Sequence, residues 1–216
     1  MQTINFDELK IRDNDRVLDL GCGEGRHAIT AYMLHNIQSV GVDLSHRDLS
    51  ITRDRFKEFE EPDNGNKSLF ISVADGARLP FADNSFDKVI CSEVLEHIPN
   101  YRAVLREISR VLKVGGTFAA SVPRFFPEWI CWRLSDAYHA AEGGHIRIFN
   151  ASHLRADIED LGFVFFRQHH AHALHVPYWW LKCLFWREPG AAETKIVTTY
   201  HQFLIWDLMK QPRITR

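Results

Sequence analysis

The sequence predicts an α/β protein built on a doubly wound, mostly parallel β-sheet with helices on both faces. Three observations carry this prediction. Short β-rich runs alternate with longer helical patterns through the first half of the chain, a glycine-rich turn joins the first run to the first helix, and an acidic residue lies at the end of each of the first three runs. The 216 residues are sufficient for one large domain, so we expect a single domain over 1–216.

Five strands are predicted in the first 122 residues. They are apolar or β-branched runs at 16–20, 39–44, 69–74, 86–91 and 117–122. The intervening helices are expected at 26–37, 46–61 and 101–113, and the pair Gly115-Gly116 ends the last of them. This core, at 1–123, has the strand–helix rhythm of a parallel sheet.

The rhythm changes after Pro123. Residues 124–150 are rich in aromatic side chains and are interpreted as a cap inserted over the sheet edge. The remainder, 151–216, is expected to contain a helix at 151–162 with Ser152 as its cap, a sixth strand at 163–168 and two aromatic helical segments. No clear seventh strand can be recognised.

Composition excludes several classes of protein. No apolar run approaches the roughly 18 to 20 residues that span a bilayer, and the N-terminal segment is polar, so we expect a cytoplasmic location. The four cysteines form no CxxC pair, which disfavours a zinc ribbon or a disulfide framework. A net charge of −2 disfavours a nucleic-acid partner.

The glycine-rich turn is the most informative local motif. Residues 17–25 read VLDLGCGEG and place a G-x-G-x-G turn between a buried strand and a helix. Glycine lets the backbone approach a ligand closely, and the helix N-terminus presents free N–H groups. A dinucleotide fingerprint would need glycine where Arg26 stands, which disfavours an NAD-type oxidoreductase.

Three carboxylates are expected at one edge of the sheet. Asp19 lies at the end of the first strand, Asp43 at the end of the second and Asp75 directly after the third. The carboxyl ends of parallel strands meet at one edge, so these groups could hold an ammonium group, two ribose hydroxyls and an exocyclic amine. The pattern predicts a pocket for a nucleoside joined to an amino acid.

Four segments together resemble the class I S-adenosylmethionine-dependent methyltransferases, in particular the group that includes the ubiquinone and menaquinone biosynthesis enzymes. They are 17–25, 41–45 (GVDLS), 74–98 (ADGARLPFADNSFDKVICSEVLEHI) and 105–123 (LREISRVLKVGGTFAASVP). The resemblance implies a Rossmann-like fold, S-adenosylmethionine as the methyl donor and S-adenosylhomocysteine as its spent form. The cofactor-binding residues it implies are Asp19, Gly21 and Gly23 for the methionine part, Asp43 for the ribose, Asp75 and Gly76 for the adenine, and Glu93 beside the cofactor. Cys22 and Leu44, next to these residues, are further cofactor-binding candidates.

Three histidines are candidates for acid/base chemistry. Methyl transfer from a sulfonium mainly requires alignment of donor and acceptor, but a hydroxyl acceptor must also lose its proton. His145 is the leading candidate because the quinone O-methyltransferases carry a histidine-containing segment there. His97 and His139 are further candidates, and a purely structural role is the alternative for both His145 and His97.

The aromatic second half favours an apolar or aromatic acceptor. The candidate acceptor-binding residues are Phe125, Trp129, Trp132, Tyr138 and Arg147. We therefore expect methylation of an oxygen atom, with carbon, nitrogen and sulfur as the alternatives, on a hydrophobic small molecule or lipid precursor. The alternatives are a protein or RNA methyltransferase, an NAD-type oxidoreductase and a binding module without catalysis.

Two further segments suggest partners. Residues 178–187 combine tryptophan, tyrosine and cations, which is typical of a membrane-surface helix but also of a helix packed on the body or on a second copy in a homodimer. The histidines between His169 and His175 suggest a metal, yet no acidic or thiol ligand completes a recognisable spacing, so no metal site is predicted.

Overall fold

The structure is a computed structural model that describes residues 3–62, 64–140, 144–171, 173–185 and 194–210, with the backbone alone at 139–140 and 208–210. Internal contacts divide the chain into two compact units. The first unit contains Met1–Val122 and Ala156–Phe163, and the second contains Pro123–Arg155 and Val164–Arg216. The expectation that 1–216 form one domain, with 124–150 as a cap, stays a prediction.

The first unit is built on a five-stranded parallel sheet. Its strands are β1 (Arg16–Leu20), β2 (Gln38–Asp43), β3 (Ser68–Val73), β4 (Phe86–Ser92) and β5 (Leu112–Ser121). They pair in the order β3-β2-β1-β4-β5, with every neighbouring pair parallel. The Rossmann-like architecture is therefore confirmed.

Helices connect these strands. In chain order the elements are α1 (Phe6–Leu9), α2 (Arg26–Leu34), α3 (His46–Phe56), a 3₁₀ turn (Leu95–His97), α4 (Tyr101–Val111) and α7 (Ala151–Glu159), of which Ala156 onward belongs to this unit. Short polar residues cap several of them; Ser45 accepts from Asp48 N and Asn100 accepts from Ala103 N, for example. Helices α2 and α3 end a few residues earlier than the sequence indicated.

The strand order decides where a ligand can bind. The chain runs outward from β1 through β2 to β3 and then returns to the other side of β1 with β4 and β5. Right-handed crossovers then send the helices to opposite faces. The crevice at such a reversal, beyond the carboxyl ends of β1 and β4, is where open α/β sheets bind ligands.

The short helix α1 was not anticipated from the sequence. Its Phe6 and Leu9, with Ile4 and Ile11, form a buried cluster against Val17 and other residues of the sheet and α2. Burying side chains of this size stabilises the fold by roughly 1.5–3 kcal/mol each. The N-terminal segment is thus part of the core.

The start of β5 differs from the prediction. Helix α4 ends at Val111 and the strand begins at Leu112, so it already includes Gly115 and Gly116, which were expected to precede it. The pairing with β4 is irregular there, and a side chain at Gly116 would meet the backbone oxygen of Asp87 at 2.9 Å. The glycines serve a strand irregularity rather than a helix end.

The sixth strand predicted at 163–168 is wrong. These residues adopt no strand in the described structure, and Val164 and Phe166 are exposed. Phe163 packs its ring against Phe118 of β5, with ring centroids 5.5 Å apart. The run has the composition of a strand, but a strand also needs a neighbouring backbone with which to form hydrogen bonds.

The second unit is helical. Its remaining helices are α5 (Phe125–Leu134), α6 (Asp136–Ala140), α8 (His175–Leu184) and α9 (Lys195–Lys210). Helices α5 and α8 are joined by Trp180, whose indole N–H donates to the Pro127 carbonyl at 3.1 Å, while Tyr178, Val197 and Leu204 form a buried cluster between α8 and α9. The helical prediction for both aromatic segments is confirmed.

Some predictions fall outside the described residues. They concern Gly143 in the His145 segment, His172 in the histidine cluster, and Trp186 and Arg187 at the end of 178–187. None of the helices in the described part of the chain combines the length and the apolarity that crossing a bilayer requires.

Candidate functional site

The glycine turn between β1 and α2 packs closely against neighbouring side chains at two of its three glycines. Gly21 and Gly25 have φ values of 71° and 81°, which strongly favour glycine. A Cβ at Gly21 would lie 2.3 Å from Val94 Cγ2, and one at Gly25 would lie 2.5 Å from Thr52 Cγ2. These two positions are glycine because the neighbouring chain fills the space.

Gly23 differs from its neighbours. Its φ is 51°, yet a Cβ there would have no atom within 4 Å. Cys22 beside it is buried, and the N–H groups of Gly21 and Cys22 both donate to the Val42 carbonyl. The turn is therefore anchored to β2 on one side and open at Gly23 on the other, as a ligand cradle requires.

Asp43, at the end of β2, is bonded to this turn. One carboxylate oxygen accepts from Gly23 N and the other accepts from Ser45 N, each at 2.8 Å. A carboxylate has about four lone-pair sites. Asp43 can thus fix the turn and still receive two further donors such as vicinal hydroxyls, and the strongly exposed Leu44 adds an apolar surface beside it.

Asp19, at the end of β1, is almost completely buried. Its carboxylate accepts from Ala28 N in α2 at 2.9 Å. Burial raises the pKa of Asp19 to about 7, and the hydrogen bond from Ala28 and the charge of Arg26 oppose that rise. A buried carboxylate with a raised pKa is poised to accept a cationic partner.

The predicted adenine site follows β3. Asp75 is exposed and accepts from Ala77 N at 2.9 Å, which orders the turn. Gly76 is buried, and a side chain there would press on Leu20 at 3.1 Å. Asp19, Asp43 and Asp75 therefore end or follow the neighbouring strands β1, β2 and β3, as the sequence indicated.

Glu93, directly after β4, has an unusual backbone. Its φ is 56°, a left-handed conformation that costs a residue with a side chain roughly 1–2 kcal/mol. Its backbone N–H donates to the Ser121 carbonyl, and its carboxylate accepts from the Ser121 hydroxyl at 2.7 Å. Strain of this kind concentrates at functional sites.

The second unit contains a separate polar cluster around Glu128. This carboxylate is buried in α5 and accepts from the Trp132 indole at 3.0 Å and from the Tyr138 hydroxyl at 3.2 Å. Nδ1 of His145 lies 2.6 Å from Glu128 Oε1. Burial and the Glu128 charge raise the pKa of Tyr138, so the phenol stays protonated.

The cluster unites three predicted residues, Trp132, Tyr138 and His145, with one that was missed. Glu128 looked like an ordinary helical acid in the sequence. The available signal was its spacing, because Trp132 four residues later lies on the same face of the helix and can donate to it. The hydrogen bonds of a buried acid with three polar neighbours are stronger than those of an exposed acid, because the local dielectric constant is lower.

The other candidates are placed as follows. Phe125 and Trp129 lie on α5 with about half of their surface exposed, and the Arg147 guanidinium lies 5.7 Å from the ring centroid of Phe149. His97 lies in the 3₁₀ turn after β4, in the first unit. The side chain of His139 lies outside the described residues.

The residues at the carboxyl edge fit S-adenosylmethionine. The open position at Gly23 leaves room for close backbone approach, the buried Asp19 suits an ammonium group, and the half-buried Asp43 suits a ribose. The fold and this edge thus suit a protein that binds a nucleoside joined to an amino acid.

Sequence comparisons agree with this assignment. Residues 18–120 match the family model described as a methyltransferase domain. The 27-O-demethylrifamycin SV methyltransferase of Amycolatopsis mediterranei is 34% identical over 51% of this chain and 39% of its own length. The sterol 24-C-methyltransferase of Kluyveromyces lactis is 31% identical over 64% of this chain and 34% of its own length.

Solved structures share the fold. A SAM-dependent methyltransferase from Methanosarcina mazei has a TM-score of 0.61 at 17% identity and covers 74% of this chain and 85% of its own. A candidate methyltransferase from Bacillus halodurans C-125 has a TM-score of 0.67 at 20% identity, over 92% of this chain and 79% of its own.

Residues 18–120 thus form a methyltransferase domain, and the carboxyl edge of its sheet fits S-adenosylmethionine as the methyl donor. The chain spans less than half the length of the curated relatives named above.

Proposed function

We propose that the protein transfers a methyl group to a hydroxyl or phenol oxygen of an apolar small molecule or lipid precursor. The observation that carries this proposal is the buried Glu128 paired with His145 at 2.6 Å. One relative is named for methylation of an oxygen and another for methylation of a sterol carbon. Of these two atoms, oxygen is the one whose proton a histidine can remove near neutral pH.

The protein's own task is alignment and proton removal. When bound, S-adenosylmethionine supplies an electrophilic methyl group on a positively charged sulfur, and displacement requires an in-line acceptor. With its Nδ1 atom 2.6 Å from Glu128 Oε1, the His145 ring is oriented by a carboxylate, as suits a histidine that takes up a hydroxyl proton near neutral pH. The carboxylate then stabilises the imidazolium that forms, as in other acid–histidine pairs.

Substitution of His145 tests this role. His145→Ala should lower kcat by roughly a hundredfold, at the lower end of general-base effects. Glu128→Gln should lower it less, because the amide can still orient the ring but cannot stabilise its charge. The donor Kd, measured by calorimetry, should stay unchanged in both variants.

The matched control is His153→Ala, which removes an exposed histidine from α7. An acceptor whose phenol is already ionised at the assay pH should be methylated at nearly the wild-type rate by His145→Ala. Equal rates for wild type and His145→Ala on an un-ionised acceptor would remove the histidine from the mechanism.

We further propose that the second unit meets its lipid-like acceptor at the cytoplasmic surface of an anionic membrane. Trp179 and Leu184 of helix α8 are exposed, as is Phe185 directly after it, and Lys182 lies 5.3 Å from the Trp179 ring centroid. The acids of α5, α8 and α9 are Glu128 and Asp207, and both are buried. Exposed aromatic side chains together with cations suit an interface with anionic lipids.

Vesicle flotation tests the membrane proposal. The protein should float with vesicles containing anionic lipid, less with neutral vesicles, and less at high salt. The double variant Trp179→Ser/Phe185→Ser should lose most of this binding, whereas Val114→Ser, which removes one exposed apolar side chain from the first unit, should not. A concentration-dependent dimer in sedimentation, without flotation, would assign this face to a homodimer instead.

A further inference from the structure

A chain of hydrogen bonds crosses the carboxyl edge of the first unit and ends on Glu93. His27 Nε2 lies 3.2 Å from Thr3 Oγ1, and Thr3 Oγ1 lies 2.5 Å from Ser92 Oγ. Ser92 Oγ lies 2.9 Å from Ser121 Oγ, which donates to the Glu93 carboxylate at 2.7 Å. Residues from the N-terminal segment, α2, β4 and β5 are thus joined at one edge.

The direction of this chain follows from proton counting. Each hydroxyl has one proton to donate. Because Ser121 gives its proton to the Glu93 carboxylate, Ser121 receives from Ser92, Ser92 receives from Thr3, and Thr3 receives from His27. Burial lowers the pKa of His27 to about 4, so the ring is neutral and donates from Nε2. Every dipole therefore points its positive end towards Glu93.

The position of Glu93 makes this polarity relevant to the ligand. It directly follows β4, which pairs with β1 in the centre of the sheet where the strand order reverses. The next residue, Val94, touches the glycine turn at Gly21. The left-handed backbone of Glu93 costs conformational energy, which indicates that the placement of its carboxylate matters more than local stability.

We propose that the Glu93 carboxylate makes the site select the positively charged donor over its neutral spent form, and that Ser121, Ser92 and Thr3 are positioning residues that hold it for this task. S-adenosylmethionine and S-adenosylhomocysteine share the ammonium group, the ribose and the adenine, and they differ by one methyl group and one positive charge at sulfur. Asp19, Asp43 and Asp75 are assigned to the shared parts, so an acid that responds to the difference has to act near the sulfur. This inference rests on the donor assignment and not on the acceptor.

The consequence is that a new donor molecule replaces the spent cofactor more readily. An ionised Glu93 favours the sulfonium, and the attraction disappears once the methyl group and its charge have left the sulfur. The spent cofactor is then held by the shared contacts alone. A purely structural network would instead change the affinity for both ligands equally.

Calorimetry with the two ligands tests the proposal without turnover. The quantity is the ratio of the Kd for S-adenosylmethionine to the Kd for S-adenosylhomocysteine. Glu93→Gln keeps an acceptor for Ser121 but removes the charge, and it should raise this ratio by roughly fivefold, the effect expected of a partly exposed charge. Glu93→Asp keeps the charge at shorter reach and should raise it less.

The positioning residues are tested in the same assay. Ser121→Ala and Thr3→Val should raise the ratio by roughly twofold to threefold, with the larger effect at Ser121 because it touches the carboxylate. Thr117→Val is the matched control. It removes a hydroxyl of β5, the strand of Ser121, that accepts from Lys88 and takes no part in the hydrogen-bond chain to Glu93. It should leave the ratio unchanged.

Separate outcomes contradict separate statements. If Glu93→Gln and Glu93→Asp bind both ligands with the wild-type ratio, the selection proposal is overturned while the donor assignment stands. If Ser121→Ala changes both affinities by the same factor, the hydroxyl chain is structural only. If the folded wild type binds neither ligand, the donor assignment itself fails.

Discussion

Replacing Gly21 with alanine should lower the free energy of unfolding by roughly 2–4 kcal/mol. Two effects add at this position. The φ of 71° costs an alanine about 1–2 kcal/mol, and the new Cβ would lie 2.3 Å from Val94 Cγ2, an overlap that forces a shift in a β-branched side chain with few rotamers. Urea unfolding followed by circular dichroism measures the loss.

Gly23 and Gly65 provide a graded comparison. Gly23→Ala carries the left-handed strain but no overlap, so it should cost only about 1 kcal/mol of stability while it weakens donor binding, because the new methyl group occupies the open side of the turn. Gly65→Ala lies in a surface loop with open space and should be nearly neutral in both assays. Equal stability losses at Gly21 and Gly23 would contradict this account of the turn.

Much of the first unit follows from local patterns. The run RVLDL at 16–20 is apolar, short and followed by glycine, so its strand was predicted with the bounds that β1 has. The acids at or just beyond the ends of β1, β2 and β3 were also predictable, because parallel strands bring their carboxyl ends to one edge regardless of how the side chains pack. The glycine turn was recognisable from its place between strand and helix.

The failures occur where tertiary contacts decide. Residues 163–168 have strand composition, but a strand requires a partner, and the sequence does not show that Phe163 packs on Phe118 instead. The pair Gly115-Gly116 marks a helix end by its composition, although the chain uses it inside β5. In each case two local interpretations were possible, and only distant residues separate them.

The same limit applies to the candidate sites. Glu128 and His145 are 17 residues apart, and Thr3 and Ser92 are 89 residues apart. Neither spacing belongs to a recognisable motif, so these polar clusters emerge only from the fold. The positive φ of Glu93 likewise has no signature in the sequence, since glycine or asparagine would normally mark such a position.

Asp19→Asn should stabilise the unliganded protein at pH 8 and weaken its binding of the donor. Burial raises the pKa of Asp19 from its ordinary value of 3.8 to about 7. Between these two pH values the folded state holds a proton that the unfolded state has lost, so the stability contributed by Asp19 falls as pH rises through this range. An uncharged amide removes that loss, which is on the order of 2–4 kcal/mol at pH 8, and its oxygen can still accept from Ala28 N.

Donor binding should change in the opposite direction. The ammonium group assigned to Asp19 would face an amide in place of a carboxylate, and losing a charge-assisted contact in a buried site weakens binding by roughly a hundredfold. Thermal unfolding without ligand should therefore show the variant above wild type at pH 8 and equal to it near pH 4, while calorimetry at pH 8 shows the loss of affinity. If Asp19 serves the ligand, removing its charge should stabilise the unliganded protein. A variant less stable than wild type at pH 8 would therefore mean that the Asp19 carboxylate supports the fold instead.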